Sequence, residues 1–349
     1  MSMSFRAGGH PFGIHRVVTP AGSLPQQADV LDASLPAYDN ELHLEVETLN
    51  IDAASFHQLK EEAKGQPDAV ASAIQSIVKR RGKMHNPVTN SGGMLIGRVK
   101  GIGPNYKGPV HAHVGDRVAT LVSLTLTPLT LRAVKQVHLD KDQLDVEGDA
   151  ILFDSGIGAR LDGSIPDRLA LAVLDVCGAP AQMARMVRPG MTVAVLGTGK
   201  SGMLCLAQAR HTLRKSGKLL ALDNVATGPD AAVKMGYADQ AIVVDAKKPL
   251  DVFAAVEKAT GGFMCDLVVN TVNVAGTEMA TVLATRQGGR AYFFNMATSF
   301  QAVALGAEGL ARDVECLVGV GYAPGHADWA INLVKQEKPL REWLAQRFG

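Results

Sequence analysis

The segment TVAVLGTGKSG places Gly197, Gly199 and Gly202 in GxGxxG spacing, after a short apolar run and at the start of a helical pattern. Gly197 permits a tight turn, Gly199 lets the backbone approach a pyrophosphate, and Gly202 lets the helix close onto the strand. The helix N-terminus then offers amide donors to an anion, and Thr198, Lys200 and Ser201 belong to the same expected nucleotide-binding loop. The next apolar run, KLLALD, ends in Asp223, about 20 residues past the last glycine, where a carboxylate accepts hydrogen bonds from an adenosine ribose. Asp223 repels a 2′-phosphate, so NAD is the expected cofactor, with NADP admissible because the neighbouring Asn224 is neutral. A phosphate-cradling GxxxxGK[ST] loop is excluded, because Ala194 stands where its first glycine is required.

A strand, a turn and a helix must hold that loop, and the sequence after Asp167 supplies them. Strands are expected at Val193–Leu196, Lys218–Leu222, Gln240–Val244, Leu267–Asn270, Arg290–Phe294 and Leu317–Val320. Helices are expected at Ser201–Leu213, Asp230–Met235 and Val252–Thr260, with another around His326–Lys335. Alternation of helices with uniformly apolar strands predicts a doubly wound parallel sheet, a Rossmann arrangement. Ligands then sit at the carboxyl ends of the strands, so Asn270 and Thr271 after one strand, and Asn295 and Met296 after another, are expected to face the cofactor. The stretch Tyr38–Val122 instead alternates β-rich runs (ELHLEVETL, GGMLIGRVKGIG, GDRVATLV) with turns, which predicts a β domain. Inside it, Val70, Ile74, Ile77 and Val78 share one helical face, with Asp68 as N-cap and Gly82 past the end. The chain is α/β, with a β-rich domain over residues 1–160 carrying a helix near 68–82, a dinucleotide domain over 161–335, and a C-terminal tail over 336–349.

Lysine and arginine number 35 against 34 acidic residues, which gives no electrostatic case for nucleic acid, and the basic KRRGK run reads as cations complementing a helix C-terminus. The opening MSMSFRAGGHPFGIHR lacks the apolar core of a signal peptide, and no stretch is long and apolar enough to span a membrane; a cytoplasmic protein is expected. The four cysteines, Cys177, Cys205, Cys265 and Cys316, contain no CxxC pair, and Cys177 reads as a buried small hydrophobe. His111 and His113 form an HxH pair without a thiol companion, so a metal site is not expected there.

The order of parts, together with GGMLIGRVKGIG, the GDRV at 115–118 and RPGMTVAVLGTGKSG, resembles the medium-chain dehydrogenase/reductase superfamily. The resemblance implies a GroES-like first domain. It also implies that the usual catalytic-zinc positions fall on Asp52 and on Gly92, Gly93 and Met94. Zinc needs about four ligands, so a metal-free enzyme is expected. Longer strings, among them LNIDAASFHQLKEEA, RGKMHNPVTNSGG, GDRVATLVSLTLTPL and NMATSFQAVALGAEGLARDV, are similar to the L-erythro-3,5-diaminohexanoate dehydrogenases of lysine fermentation. That resemblance implies oxidative deamination at C3 of a 3,5-diamino acid, giving 5-amino-3-oxohexanoate, ammonia and reduced cofactor.

Such a reaction needs proton carriers. An ammonium-bearing carbon expels hydride only after nitrogen loses a proton, and water must then add to the imine. Asp52, standing in the place of a metal ligand, is expected to hold the C3 nitrogen. His57 suits the base role, with an unperturbed pKa of about 6.5, and Glu61 at i+4 would orient the imidazole or bind the distal ammonium. Ser123, after GDRV, is expected to line the substrate pocket with Leu124 and Thr125, and Asn295 to reach the nicotinamide carboxamide. Ser55 and Gln58 fit an S-x-x-Q capping box. The alternatives are a zinc-independent quinone or enoyl reductase and a non-catalytic dinucleotide-binding protein. A small diamino acid is the expected partner, and a homo-oligomer, a dimer by preference, is the expected assembly.

Overall fold

The structure, a computed structural model, describes residues 4–319 and 321–348. Val320, at the end of the last expected strand, Gly349 in the expected tail, and the first three residues of the opening segment lie outside the described residues. The chain divides into two compact units, 1–164 and 165–349.

The first unit contains β1 (Val17–Thr19), β2 (Val30–Leu31), β3 (Leu42–Ile51), α1 (Ala53–Glu62), α2 (Pro67–Arg81), β4 (Gly93–Ile102), β5 (Arg117–Thr120), β6 (Leu129–His138), β7 (Gln143–Leu152) and β8 (Gly158–Leu161). Six of the strands form an antiparallel sheet in the order β6-β7-β3-β4-β5-β8. Its core gathers Leu44, Leu49, Phe56, Ile74, Leu95 and Leu144. Helix α2 buries Val70, Ile74, Ile77 and Val78 and ends at Gly82 in the left-handed region. It starts one residue before Asp68, because Pro67 is pre-set for the first helical turn; Asp68 lies within that turn and Gln66 is the N-cap. An N-terminal arm is tied to β3 by Arg16, whose guanidinium meets both oxygens of Glu41 at 2.6 Å.

The second unit contains α3 (Asp167–Leu174), α4 (Gly178–Met186), β9 (Thr192–Leu196), α5 (Lys200–Leu213), β10 (Lys218–Asp223), α6 (Thr227–Lys234), β11 (Gln240–Val243), α7 (Pro249–Thr260), β12 (Cys265–Asn270), α8 (Glu278–Ala284), β13 (Thr285–Phe293), α9 (Phe300–Gly309), β14 (Val314–Val318), α10 (His326–Gln336) and α11 (Lys338–Phe348). All six strands are parallel, in the order β11-β10-β9-β12-β13-β14. The strand order reverses between β9 and β12, the point where such sheets take ligands. Register sets Leu196 against both Leu222 and Asn270, so Gly197, Asp223 and Thr271 emerge side by side.

The last strand corrects the expected Leu317–Val320: Gly319 has φ 66°, which ends the extended run, and pairing with β13 begins at Val314. Residues 338–348, read as a tail, form α11, which fully buries Leu340 and Leu344 and packs on α3 and α5. Among the described residues no single helix is long and apolar enough to cross a membrane.

Candidate active site

The glycine loop is built as its spacing requires. Gly197 has φ 86°, and a Cβ on Gly202 would fall 1.8 Å from the Gly197 carbonyl oxygen, so only glycine lets α5 close onto β9. Gly199, at the N-cap of α5, has open space where a Cβ would point. A cavity of about 300 Å³ lies beside this loop, lined among others by Gly197, Asp223, Asn224, Asp245 and Lys247. The Asp223 carboxylate turns toward the loop. Its Oδ2 accepts from the Thr198 amide and hydroxyl, both at 2.7 Å, and its Oδ1 accepts from the Asn224 amide at 2.8 Å. Lys200 opens α5 with its ammonium 2.6 Å from Asp175 Oδ2, and Ser201 follows it, half-buried.

Asn270 closes β12, Thr271 follows it, and Asn295 and Met296 lie just past the end of β13. Asn270 is fully buried, and its amide nitrogen donates to the Thr277 hydroxyl at 2.9 Å and the Thr281 hydroxyl at 2.8 Å. Its oxygen accepts from the Val272 amide at 3.0 Å. A buried amide satisfied in this way shapes the loop instead of reaching outward. The Thr271 hydroxyl donates to the carbonyls of Leu196 and Gly197 at 3.1 and 3.0 Å, which staples β12 to the glycine turn. Asn295 likewise closes its own turn, its oxygen accepting from Ala297 N and Thr298 Oγ1, while Met296 is 94% exposed. Sequence position located the end of β12, and that of β13 to within one residue, but it carried no signal that Asn270 and Thr271 hydrogen-bond inward.

In the first unit, Asp52 follows β3 directly and is half-buried, and its Oδ2 accepts from the Gly92 amide at 2.7 Å. A Cβ on Gly93, at φ 110°, would sit 2.1 Å from the Asn50 carbonyl oxygen, so no histidine fits there. The Ser123 turn hangs from the same pair of glycines: Leu124 N donates to the Gly93 carbonyl at 2.9 Å. Ser123 Oγ accepts from the Thr125 amide and hydroxyl at 3.2 and 3.0 Å. Asp52 and Ser123 thus share one support. His57 and Glu61 pair at 3.2 Å on the exposed side of α1, with side chains 73% and 69% exposed.

The capping box is overturned. Asp52 is the N-cap of α1, and Ser55 lies inside the helix, its hydroxyl 2.5 Å from Thr89 Oγ1 and 2.6 Å from Ser91 Oγ. Gln58 accepts instead from Asn86 Nδ2 at 2.8 Å. These hydroxyls and amides dock α1 onto the segment leading to Gly92, a role that spacing alone does not announce.

Cys177 is buried, and burial pushes its thiol up to about 12, so it is inert. His113 is 3.7 Å from Asp116, and among the described residues no group of three or more His, Cys, Asp or Glu is placed to hold a metal ion.

An antiparallel β unit followed by a parallel sheet with a glycine-rich first turn is the architecture that alcohol dehydrogenases of the medium-chain type display. An alcohol dehydrogenase from Thermotoga maritima shares this fold, with a TM-score of 0.56 at 12% identity over 88% of this chain and 85% of that one. Residues 15–162 match the family model described as the L-erythro-3,5-diaminohexanoate dehydrogenase N-terminal domain. An L-erythro-3,5-diaminohexanoate dehydrogenase from Acetoanaerobium sticklandii is 43% identical over 97% of this chain and 99% of its own length. The corresponding protein of Fusobacterium nucleatum is 44% identical over 96% of this chain and 97% of its own. The chain belongs to the L-erythro-3,5-diaminohexanoate dehydrogenase family.

Proposed function

We propose that this protein catalyses the oxidative deamination of L-erythro-3,5-diaminohexanoate to 5-amino-3-oxohexanoate and ammonia, with NAD as the oxidant. The end-to-end relationship to dehydrogenases of that name carries the reading. The glycine turn and the cavity beside Asp223 support a dinucleotide there. The cavity lining sets two carboxylates, Asp223 and Asp245, against one lysine, Lys247, a balance that disfavours an added 2′-phosphate.

Bound nicotinamide supplies the hydride acceptor. The protein's own task is to manage protons and charge. Asp52 offers Oδ1 to the C3 ammonium while Oδ2 stays anchored by Gly92, which fixes the carboxylate's direction. It takes the proton that must leave before the nitrogen lone pair can stabilise the iminium, and it returns one to ammonia after water has added. Ser123, on the same glycine support, positions the substrate or the attacking water. The enzyme works without zinc on this reading, because where zinc-dependent dehydrogenases carry ligands it has one carboxylate and two glycines, one of which cannot bear a side chain.

The working form is a homodimer. β14 is one of the two sheet edges, and α9, packed against it through Val303 and Ala307, leaves Phe300 71% and Leu305 68% exposed; a second copy paired along this edge covers both. A cytoplasmic location suits the four free thiols.

The deciding experiment follows reduced-nicotinamide absorbance and ammonia with NAD and the diamino acid, in parallel with NADPH and a quinone or activated alkene. Stoichiometric ammonia and NADH support the proposal. Turnover of the quinone or alkene alone rejects it, and nucleotide binding without any turnover leaves a non-catalytic protein.

A further inference from the structure

The carboxylate at the end of β10 is held in a manner that the glycine spacing does not require. Both donors of Thr198, amide and hydroxyl, converge on Asp223 Oδ2 at 2.7 Å. The Asn224 amide takes Oδ1. Thr198 is only 3% exposed, and α6 presses on it from the far side: a Cβ on Gly228 would lie 1.9 Å from Thr198 Oγ1 and 2.7 Å from its Cβ. The hydroxyl therefore sits between a carboxylate and a glycine that leaves it just enough room.

A carboxylate tied by backbone amides alone can still turn about its Cβ–Cγ bond. A third donor, on a buried side chain with no space to move, removes that freedom. We propose that Thr198 is a specificity-positioning residue: its hydroxyl, backed by Gly228, locks Asp223 so that the remaining lone pairs of Oδ1 meet a ribose diol. So fixed, the carboxylate cannot swing aside to admit a 2′-phosphate. The inference rests on the dinucleotide reading of the cavity given above, and it adds what makes the choice between the two nucleotides strict. The nearby Lys247 would otherwise give a phosphate some compensation.

The test is direct binding of NADH and of NADPH to the full-length protein, followed by nucleotide fluorescence without substrate, so that turnover plays no part. Thr198→Val keeps the shape and removes the donor, and Thr198→Ser restores it; Thr198→Ala replaces the valine variant should that one melt early. The wild type is expected to prefer NADH. The valine variant should lose on the order of tenfold in that preference, and the serine variant should return to within about threefold of wild type, since a hydrogen bond to a charged group carries roughly that weight. Gly228→Ala, which displaces the hydroxyl, should follow valine. An unchanged preference in Thr198→Val and Thr198→Ala, with NADH still bound, overturns the clamp alone. A wild type that binds neither nucleotide overturns the dinucleotide reading together with it.

Discussion

Asp52 and Gly92, 40 positions apart, are joined by a 2.7 Å hydrogen bond from amide to carboxylate. The bond fixes one oxygen of the carboxylate to which the proposed mechanism gives the proton-carrying role. Asp52→Asn keeps an oxygen for the Gly92 amide but loses the charge and the proton acceptor. Deamination should fall by about 10²–10⁴-fold, the usual weight of a positioned acid-base group, while NADH affinity stays at the wild-type value. Steady-state rates and nucleotide titration check this, and a variant with wild-type turnover removes Asp52 from the chemistry.

His57 and Glu61 lie on the exposed side of α1 and meet each other at 3.2 Å. An exposed pair of this kind contributes roughly 0–1 kcal/mol to stability, and water solvates the imidazole on most sides. His57→Gln and Glu61→Gln should each leave kcat/KM within about threefold of wild type, a change of under 1 kcal/mol in transition-state binding. A loss as deep as that of Asp52→Asn would make His57 the base and shift Asp52 to substrate binding.

The Arg16–Glu41 pair is fully buried, with a second contact to Glu41 from His15 Nε2 at 2.9 Å. His15 Nδ1 accepts from the His10 amide, so Nε2 is the nitrogen that donates to Glu41. Glu41→Gln leaves a buried guanidinium without its counter-charge and should cost about 3–5 kcal/mol in urea unfolding. Burial pushes the Glu41 carboxyl up, but hydrogen bonds from Arg16 and His15 outweigh it and hold the group below its ordinary value of 4.5. The unfolded chain therefore takes up this proton first. The pair's stabilisation is complete above pH 4.5 and fades as pH falls through the lower folded value. The urea midpoint of the wild type should drop on acidification through this range, and that of Glu41→Gln should drop less.

Cys316 is the exposed thiol of the four, in the middle of β14. If two copies pair along that edge, thiol reagents should modify one group per chain in dilute solution and progressively more slowly as the protein is concentrated. Cys316→Ser should abolish this modification. Reactivity independent of concentration, with a monomeric mass in light scattering, would argue against the dimer.

Much of the second unit was legible because its strands are short, uniformly apolar and bounded by glycine or an acid, and helix α2 was legible from the spacing of Val70, Ile74, Ile77 and Val78. The β6–β7 hairpin was not, because β6 is a half-exposed edge strand whose run LTLRAVKQVH mixes polar and apolar residues without a clean alternation. Helix α9 escaped for the opposite reason: apolar on nearly every face, it has no stripe to betray a period. In the site, backbone-determined features were readable: the glycine turn and the acid at the end of β10, whereas the nearness of Asp52 to Gly92 was implied only by the superfamily resemblance. Side-chain directions were not readable. Asn270 occupies the expected strand end, yet it turns inward because a buried amide must find partners, and those partners, Thr277 and Thr281, declare themselves only in three dimensions.

The inward turn of Asn270 bears on how nucleotide would enter. Its hydrogen bonds to Thr277, Thr281 and Val272, with the Thr271 staple to the glycine turn, hold this stretch of chain by its own donors and acceptors. Free and loaded enzyme should then share one backbone here, and complex formation should carry little ordering entropy. Deuterium uptake at the amides of Thr271 and Val272 would already be slow in the empty protein.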